Sequence, residues 1–266
     1  MIVGVPVMPF VEADNAPIHA RVEGQAGAPV VVLSHSLGTT LAMWDPQMPA
    51  LAERFRVLRY DSRGHGESAV TPGPYTIERL GRDVIALLDG LGIQRVSFCG
   101  LSMGGMVGMW LGAHAPERME KLVLCNTAAR IGSPEFWESR IENIRKSGME
   151  PIATAVLGRW FTPGFHARSP DTIRDMRRML VETSVEGYAA CCAAIRDADL
   201  REVLSRIQAR TLVIAGTHDA ATPPADGRFV AEKVQGARYV ELAAAHLSNI
   251  EAAEQFTAEV VAFLSE

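Results

Sequence analysis

The sequence is poor in cysteine, and the few cysteines present are not spaced for metal binding. Only four occur among 266 residues, at Cys99, Cys125, Cys191 and Cys192, with no Cys-x-x-Cys pair and no histidine nearby at zinc spacing. Zinc sites and disulfide frameworks both need recurrent, closely spaced cysteines. We therefore expect buried free thiols and no bound metal.

The sequence also lacks an excess of basic residues and any long apolar run. Its 26 lysines and arginines are outnumbered by 31 aspartates and glutamates, which leaves a net charge of −5. An acidic protein has no electrostatic attraction for nucleic acid or anionic membranes. No uncharged apolar run approaches the roughly 18 residues of a membrane span. We expect a small-molecule partner, with neither nucleic acid nor membrane.

The N-terminal segment does not have the features of a signal peptide. Residues 1–11 are mostly apolar, but the first basic residue is Arg21 and no small-residue cleavage site is present. A secretory signal needs a positively charged region before its apolar region. We therefore expect a cytoplasmic protein. Its oligomeric state cannot be read from the sequence.

Short β-branched segments alternate with helical segments along most of the chain. With 48% hydrophobic and 21% charged residues, the composition is that of a globular protein with one large core. The alternation predicts an α/β fold, with a mostly parallel central sheet flanked by helices. The predicted strands are 30–33, 56–60, 96–99, 121–125, 211–215 and 238–242. The predicted helices are 76–91, 103–114, 225–234 and 251–264.

The alternation stops between residues 131 and 206, where helical segments follow one another without a buried strand. This stretch carries Trp137, Trp160 and Phe161. Open α/β sheets bind ligands outside the carboxyl ends of their strands. We therefore predict a helical lid, or cap, over residues 131–206, inserted before the penultimate strand. The core then comprises residues 1–130 and 207–266.

The motif Gly100-Leu101-Ser102-Met103-Gly104 lies directly between a predicted strand and a predicted helix. A G-x-S-x-G in this context is typical of a nucleophile elbow, a strained turn that exposes the serine hydroxyl above the sheet. A side chain at either glycine would collide with the neighbouring strand or helix. We predict that Ser102 is a nucleophile.

A serine nucleophile needs a base and a carboxylate that orients the base. Asp219 follows the predicted strand 211–215, and His246 follows the predicted strand 238–242. Both positions lie at the carboxyl edge of the sheet, and the order Ser, Asp, His is the one expected of α/β hydrolases. The alternative interpretation of Asp219 is an ordinary turn aspartate.

The oxyanion that forms during acyl transfer needs hydrogen-bond donors. We predict two backbone donors: the N–H of Met103, directly after the nucleophile, and the N–H of Leu37, in the loop after strand 30–33. Gly38 allows that loop to turn inward. The glycine-rich turn 61–68 is interpreted as scaffold.

Three further stretches extend the pattern: SHSLGTT at 34–40 with MWDPQ at 43–47, FCGLSMGG at 98–105 and LCNTAARIGS at 124–133. Together with the elbow, the combination closely resembles the 3-oxoadipate enol-lactonases of the bacterial β-ketoadipate pathway for protocatechuate and catechol breakdown. The resemblance extends over essentially the whole chain. It implies an α/β-hydrolase fold and hydrolysis of 3-oxoadipate enol-lactone to 3-oxoadipate by a Ser-His-Asp acyl-enzyme mechanism, without a cofactor.

The lactone that the resemblance implies carries a free carboxylate. An acidic protein repels such a substrate unless a local cation binds it. Arg130, at the junction of the predicted sheet and lid, is the candidate cation, and Trp137 is the candidate wall of the substrate site. The alternatives are a surface arginine and a tryptophan that only packs the core.

Two other functions remain open from the sequence. A carboxylesterase or a cofactor-free haloperoxidase-like hydrolase would share the triad but would not need Arg130. A ligand receptor that retains the triad is a different class, and reaction with a serine-directed phosphonate discriminates it from an enzyme.

Overall fold

A computed structural model describes residues 10–266, and an eight-stranded sheet runs through the centre of this part of the chain. The strands are β1 (Phe10–Glu12), β2 (Pro17–Gly24), β3 (Val30–Ser34), β4 (Arg56–Tyr60), β5 (Val96–Leu101), β6 (Met119–Cys125), β7 (Arg210–Gly216) and β8 (Arg238–Leu242). Their order is β1-β2-β4-β3-β5-β6-β7-β8. β1 and β2 are antiparallel to their neighbours, and all other pairs are parallel. The predicted mostly parallel sheet is confirmed.

Six of these strands were predicted from the sequence, whereas β1 and β2 were not. β1 has only three residues, and β2 carries His19, Arg21 and Glu23. These two strands form one edge of the sheet, where no continuous apolar run is required. Residues 1–9, which were assigned to the core and belong to the segment judged not to be a signal peptide, lie outside the described residues.

Eleven α-helices are found in the described part of the chain. They are α1 (Met48–Arg54), α2 (Ile77–Gly90), α3 (Met103–His114), α4 (Pro134–Ser147), α5 (Ala153–Trp160), α6 (Pro163–Arg168), α7 (Pro170–Val181), α8 (Val185–Asp197), α9 (Pro224–Lys233), α10 (Ser248–Glu251) and α11 (Ala253–Ser265). None of the helices within residues 10–266 is long and apolar enough to cross a membrane.

The prediction of one helix over residues 251–264 is wrong in detail. The chain forms α10 and α11 instead, with a break at Ala252, whose backbone is not helical. The position of α10 is set by distant contacts, because Gln47 donates to the carbonyl of Asn249 and Asn249 donates to the carbonyl of Met43. Such contacts leave no periodic signal in the sequence.

Local signals explain where several of the other helices begin. The Thr76 hydroxyl accepts a hydrogen bond from the N–H of Arg79 and caps α2, and Ser133 caps α4 in the same way. Such caps satisfy backbone donors that have no partner inside the helix. α4 ends at Gly148, which adopts a left-handed backbone conformation.

Five α-helices, α4 to α8, lie between β6 and β7, and residues 131–206 contain no strand. Several contacts join this segment to the sheet loops, and two of them show how close the approach is. The N–H of Leu247 donates to the carbonyl of Trp160. A Cβ at Gly187 in α8 would lie 2.1 Å from the carbonyl oxygen of Gly64. The helices therefore pack closely against the loops at the carboxyl edge.

The carboxyl ends of the central strands are aligned. Leu101 of β5 pairs with Cys125 of β6, and Cys125 pairs with Ile214 of β7. The residues that follow these three strands therefore meet at one edge of the sheet. That edge holds the candidate site.

Candidate active site

Ser102 occupies the sharp turn between β5 and α3. Its backbone has φ 58° and ψ −114°, a conformation that is strained for a residue with a side chain. Two hydrogen bonds hold the turn: the N–H of Ser102 donates to the Cys125 carbonyl at 2.9 Å, and the Thr127 hydroxyl donates to the Ser102 carbonyl at 2.8 Å. The end of β6 and the residues directly after it therefore stabilise the strained turn.

The two glycines of the motif permit close backbone approaches. A Cβ at Gly100 would lie 2.1 Å from the carbonyl oxygen of Gly104. A Cβ at Gly104 would lie 2.3 Å from the carbonyl oxygen of Ser34. Both neighbours are backbone atoms, so neither can move aside cheaply, which agrees with the collisions expected from the sequence.

The structure brings Asp219 and His246 together. The Nδ1–H of His246 donates to Oδ2 of Asp219 at 2.8 Å. The other oxygen of Asp219 accepts from the N–H groups of Ala221 and Thr222, and the Thr222 hydroxyl donates to Oδ2. This arrangement leaves Nε2 of His246 as the ring nitrogen that can accept a proton.

The hydrogen bonds to Asp219 keep its carboxylate ionised although it is buried. Burial alone would raise the pKa, but the nearby charge and hydrogen bond of His246, together with the hydrogen bonds from Thr222, lower the pKa of Asp219 to about 2. An ionised carboxylate here favours one orientation and one tautomer of the His246 ring.

Ser102 and His246 open into the same cavity, whose volume is about 200 Å³. Most of the other side chains that line it are apolar, and they come largely from α4, α5 and α8 of the 131–206 segment. The lining residues used below are Leu37, Phe136, Trp137, Arg140, Arg159 and Tyr188.

The loop after β3 forms another wall of this cavity. Leu37 lines the cavity, and Gly38 has a positive φ of 77°, a conformation that glycine adopts readily. The N–H of Gly38 donates to Nε2 of His65 at 2.9 Å, and the N–H of Ser62 donates to Nε2 of His35 at 2.8 Å. These bonds join the loop to turn 61–68, which agrees with the scaffold interpretation of that turn.

Both histidines in this scaffold are held neutral. Burial lowers the pKa of His35, and burial together with the neighbouring His35 lowers the pKa of His65 to about 3. A neutral ring with its proton on Nδ1 can accept the backbone N–H at Nε2. Met103, the other predicted oxyanion donor, is the first residue of α3, so its N–H lies at the helix N-terminus beside Ser102.

The structure does not bring Arg130 to the cavity. Its side chain is exposed and borders a separate depression with Arg201 and Asp226. Arg130 was the predicted cation because it lies at the junction of the sheet and lid in the chain. The helices that fold back over Ser102 instead contribute Arg140 and Arg159.

Arg140 of α4 and Arg159 of α5 form a pair of cations. Both guanidinium groups lie 5.1 Å from the centre of the Phe136 ring. Arg140 donates to the Tyr188 hydroxyl at 3.2 Å, and neither arginine makes an ion pair within residues 10–266. Burial and the charge of Arg140 lower the pKa of Arg159. The pair is therefore suited to bind an anion.

Helical spacing could have found Arg140 in the sequence. Trp137 and Arg140 are three residues apart on α4, so they share one face of the helix. Trp137, the predicted wall, does line the cavity, and its indole N–H donates to the Ile131 carbonyl at 2.6 Å. No comparable signal marks Arg159.

The four cysteines are free and buried. Among the described residues, no cluster of three or more histidine, cysteine, aspartate or glutamate side chains could hold a metal ion.

Comparison with known proteins identifies the family. The family model for the alpha/beta hydrolase fold matches residues 29–253. The chain is 43% identical to 3-oxoadipate enol-lactonase 2 of Acinetobacter baylyi over 98% of both chains. The crystal structure of the enol-lactonase from Burkholderia xenovorans LB400 has a TM-score of 0.96 and 52% identity, over 97% of this chain and 100% of that one.

A more distant relative of known structure is a thermophilic esterase from Thermogutta terrifontis. It has a TM-score of 0.89 and 30% identity over 98% of each chain. The chain therefore belongs to the α/β-hydrolase family and is a carboxylic-ester hydrolase of the group that includes the 3-oxoadipate enol-lactonases.

Proposed function

We propose that this enzyme opens 3-oxoadipate enol-lactone to 3-oxoadipate, as a step in the cytoplasmic breakdown of protocatechuate or catechol. One observation carries the proposal. The cavity that contains Ser102 and His246 has an arginine pair, Arg140 and Arg159, and no acidic side chain among its described lining residues. A small lactone with a carboxylate matches this distribution of charge.

In the proposed first half-reaction, Ser102 attacks the lactone carbonyl carbon while Nε2 of His246 takes the hydroxyl proton. The N–H groups of Leu37 and Met103 donate to the developing oxyanion. The bond from the carbonyl carbon to the ring oxygen then breaks, and the enolate leaving group takes the proton from His246. Asp219 orients the ring and stabilises its charged form.

The second half-reaction hydrolyses the acyl-enzyme. The released enol is still tethered to the acyl chain and can close the ring again until it becomes a ketone. Water then attacks the acyl carbon while His246 takes a proton from it. The bond to the Ser102 oxygen breaks, and the proton returns to that oxygen.

Arg140 and Arg159 bind the substrate carboxylate in this proposal, in the role first considered for Arg130. A bound carboxylate relieves the repulsion between two neighbouring guanidinium groups, which adds to its attraction for each of them. The rings of Phe136 and Trp137 pack against the apolar carbons of the lactone. Residues 131–206 serve as the cap that carries these contacts.

Steady-state hydrolysis of enzymatically generated 3-oxoadipate enol-lactone, measured beside a neutral aryl ester, tests the proposal. The variants are Ser102→Ala, Arg140→Ala and Arg159→Ala, with Arg130→Ala as the matched control. Loss of Ser102 should abolish turnover of both substrates. Loss of either cavity arginine should raise KM for the lactone roughly 10-fold or more, with little effect on the ester. Arg130→Ala should behave like the wild type.

Two outcomes would contradict parts of the proposal. If the wild type prefers the aryl ester and the cavity arginines do not matter, the enzyme is a carboxylesterase with the same triad. If Ser102→Ala retains turnover, the nucleophile assignment is wrong.

A further inference from the structure

Asn126 lies beside the Asp219–His246 pair but does not line the cavity. It is the first residue after β6 and is only 1% exposed. Its backbone has a positive φ of 43°, a region that asparagine enters more readily than most other side chains. The neighbouring backbone holds it there, because its N–H donates to the Ile214 carbonyl at 2.7 Å.

The side-chain amide of Asn126 joins three parts of the site. Its Nδ2 donates to Oδ2 of Asp219 and to the carbonyl of Ala245, both at 3.1 Å. Its Oδ1 accepts from the Ser248 hydroxyl at 2.6 Å. The reversed amide would set its oxygen against two acceptors, so the hydrogen bonds determine its orientation.

Two of these partners flank His246 in the sequence. Ala245 directly precedes His246, and Ser248 follows it by two residues. The Asp219 oxygen that accepts from Asn126 is also the oxygen that accepts from the His246 ring. A single amide therefore links the carboxylate to the loop that carries the base.

We propose that Asn126 is a positioning residue for the catalytic triad, and this inference rests on the proposed function of Asp219 and His246. Its amide fixes the Asp219 carboxylate relative to the His246 loop, so that the ring keeps its hydrogen bond to Asp219 and Nε2 stays free in the cavity that it shares with Ser102. Its Nδ2–H groups also offset part of the negative charge of Asp219.

The proposal predicts different effects for two substitutions. Asn126→Ala removes all three side-chain hydrogen bonds, and a small misplacement of the base lowers kcat by roughly 10- to 100-fold. KM should change little, because Asn126 does not contact the cavity. Asn126→Asp keeps the shape and the acceptor for Ser248 but sets a second carboxyl group against Asp219. Two carboxyl groups this close share one proton at low pH. Once that proton is lost, the added negative charge beside Asp219 stabilises protonated His246.

The experiment measures kcat, KM and the pH dependence of kcat with a neutral aryl ester, so the substrate's carboxylate plays no part. Thr211→Val is the matched control, because Thr211 is also 1% exposed and its hydroxyl donates to the Ala209 carbonyl at the start of β7, at the end of that strand away from the triad. We expect the control to lose stability but to keep kcat within about twofold. Asn126→Asp should move the acid limb of the pH profile up by roughly one unit.

The inference is overturned if Asn126→Ala and Asn126→Asp lose only stability, with kcat and pH profile like those of Thr211→Val. Should Asn126→Ala fail to fold, the isosteric Asn126→Asp and its pH profile decide the question. Ser102→Ala is run in parallel. If it still hydrolyses the ester, the proposed function fails, whereas an inactive Ser102→Ala beside unaffected Asn126 variants rejects this inference alone.

Discussion

The Glu251 carboxylate accepts hydrogen bonds from both the backbone N–H and the hydroxyl of Thr162. Thr162 lies between α5 and α6, and Glu251 ends α10. The same carboxylate accepts from the N–H of Ala245 at 2.9 Å. This buried side chain therefore joins the 131–206 segment to the loop that carries His246.

Glu251→Gln should destabilise the protein by about 1–3 kcal/mol, because an amide has only one acceptor oxygen for these donors. Thr162→Val, which removes only the hydroxyl, should cost less. Urea unfolding measures both changes, with the exposed Glu254→Gln as the control, expected to stay within about 0.5 kcal/mol of the wild type. A Glu251→Gln variant as stable as that control would contradict the anchoring role.

Gly104→Ala should reduce both stability and activity. The added Cβ would meet the Ser34 carbonyl, so the elbow must shift, at a cost of about 1–3 kcal/mol. Gly158→Ala in α5 is the opposite case, because a Cβ added at Gly158 would meet no neighbouring atom. This substitution should stabilise the protein by about 0.5–1 kcal/mol. Thermal unfolding and ester turnover of the pair check this contrast. Equal Tm shifts of the same sign would contradict it.

The neutral His65 should make the protein less stable in mild acid. Unfolded, this side chain takes up a proton as the pH falls below 6.5, whereas the folded protein keeps the pKa of His65 at about 3. The unfolded state binds more protons in that window, so its free energy falls by about 1.4 kcal/mol per pH unit relative to the folded state.

His65→Gln tests this linkage, because glutamine offers Gly38 an acceptor but does not titrate. Its stability deficit relative to the wild type should shrink by about 2 kcal/mol between pH 6.5 and pH 5. Urea unfolding at both pH values measures the deficit, and His114→Gln on the surface is the control. A deficit that stays constant with pH would show that His65 is not neutral in the folded protein.

Salt should weaken binding of the lactone but not of a neutral ester. Charges near the surface are screened over about 10 Å at 0.1 M salt and over shorter distances at higher salt. We expect KM for the lactone to rise several-fold between about 0.05 and 0.5 M sodium chloride. The double variant Arg140→Ala/Arg159→Ala should lose most of this dependence. Equal salt effects on both substrates would argue against an ionic contact.

Much of the fold was predictable because its signals are local. The parallel strands are apolar runs, and α3 begins and ends where its pattern predicts. β2, the second strand from the edge, was missed because polar and charged residues interrupt its apolar pattern, and the break at Ala252 depends on contacts with distant residues.

The candidate site was predictable where chain order and position relative to a strand were sufficient. Ser102, Asp219 and His246 each follow a strand, and parallel strands end at the same edge. The cation was not predictable in this way. Arg130 is close to β6 in the chain but faces away from the cavity, and although helical spacing from Trp137 marks Arg140 as a candidate, only the packing of α4 and α5 brings Arg140 and Arg159 together there.

The sequence by itself thus determined the parallel sheet, the elbow at Ser102 and the order of the proposed triad, because periodicity, glycine conformation and strand position are properties of short segments. Tertiary structure alone decided the arginine pair and the contacts of Asn126 and Glu251. The Asn126–Asp219 bond spans 93 positions and the Thr162–Glu251 bond spans 89. Contacts over such distances follow from how helices pack on the sheet, which no local pattern encodes.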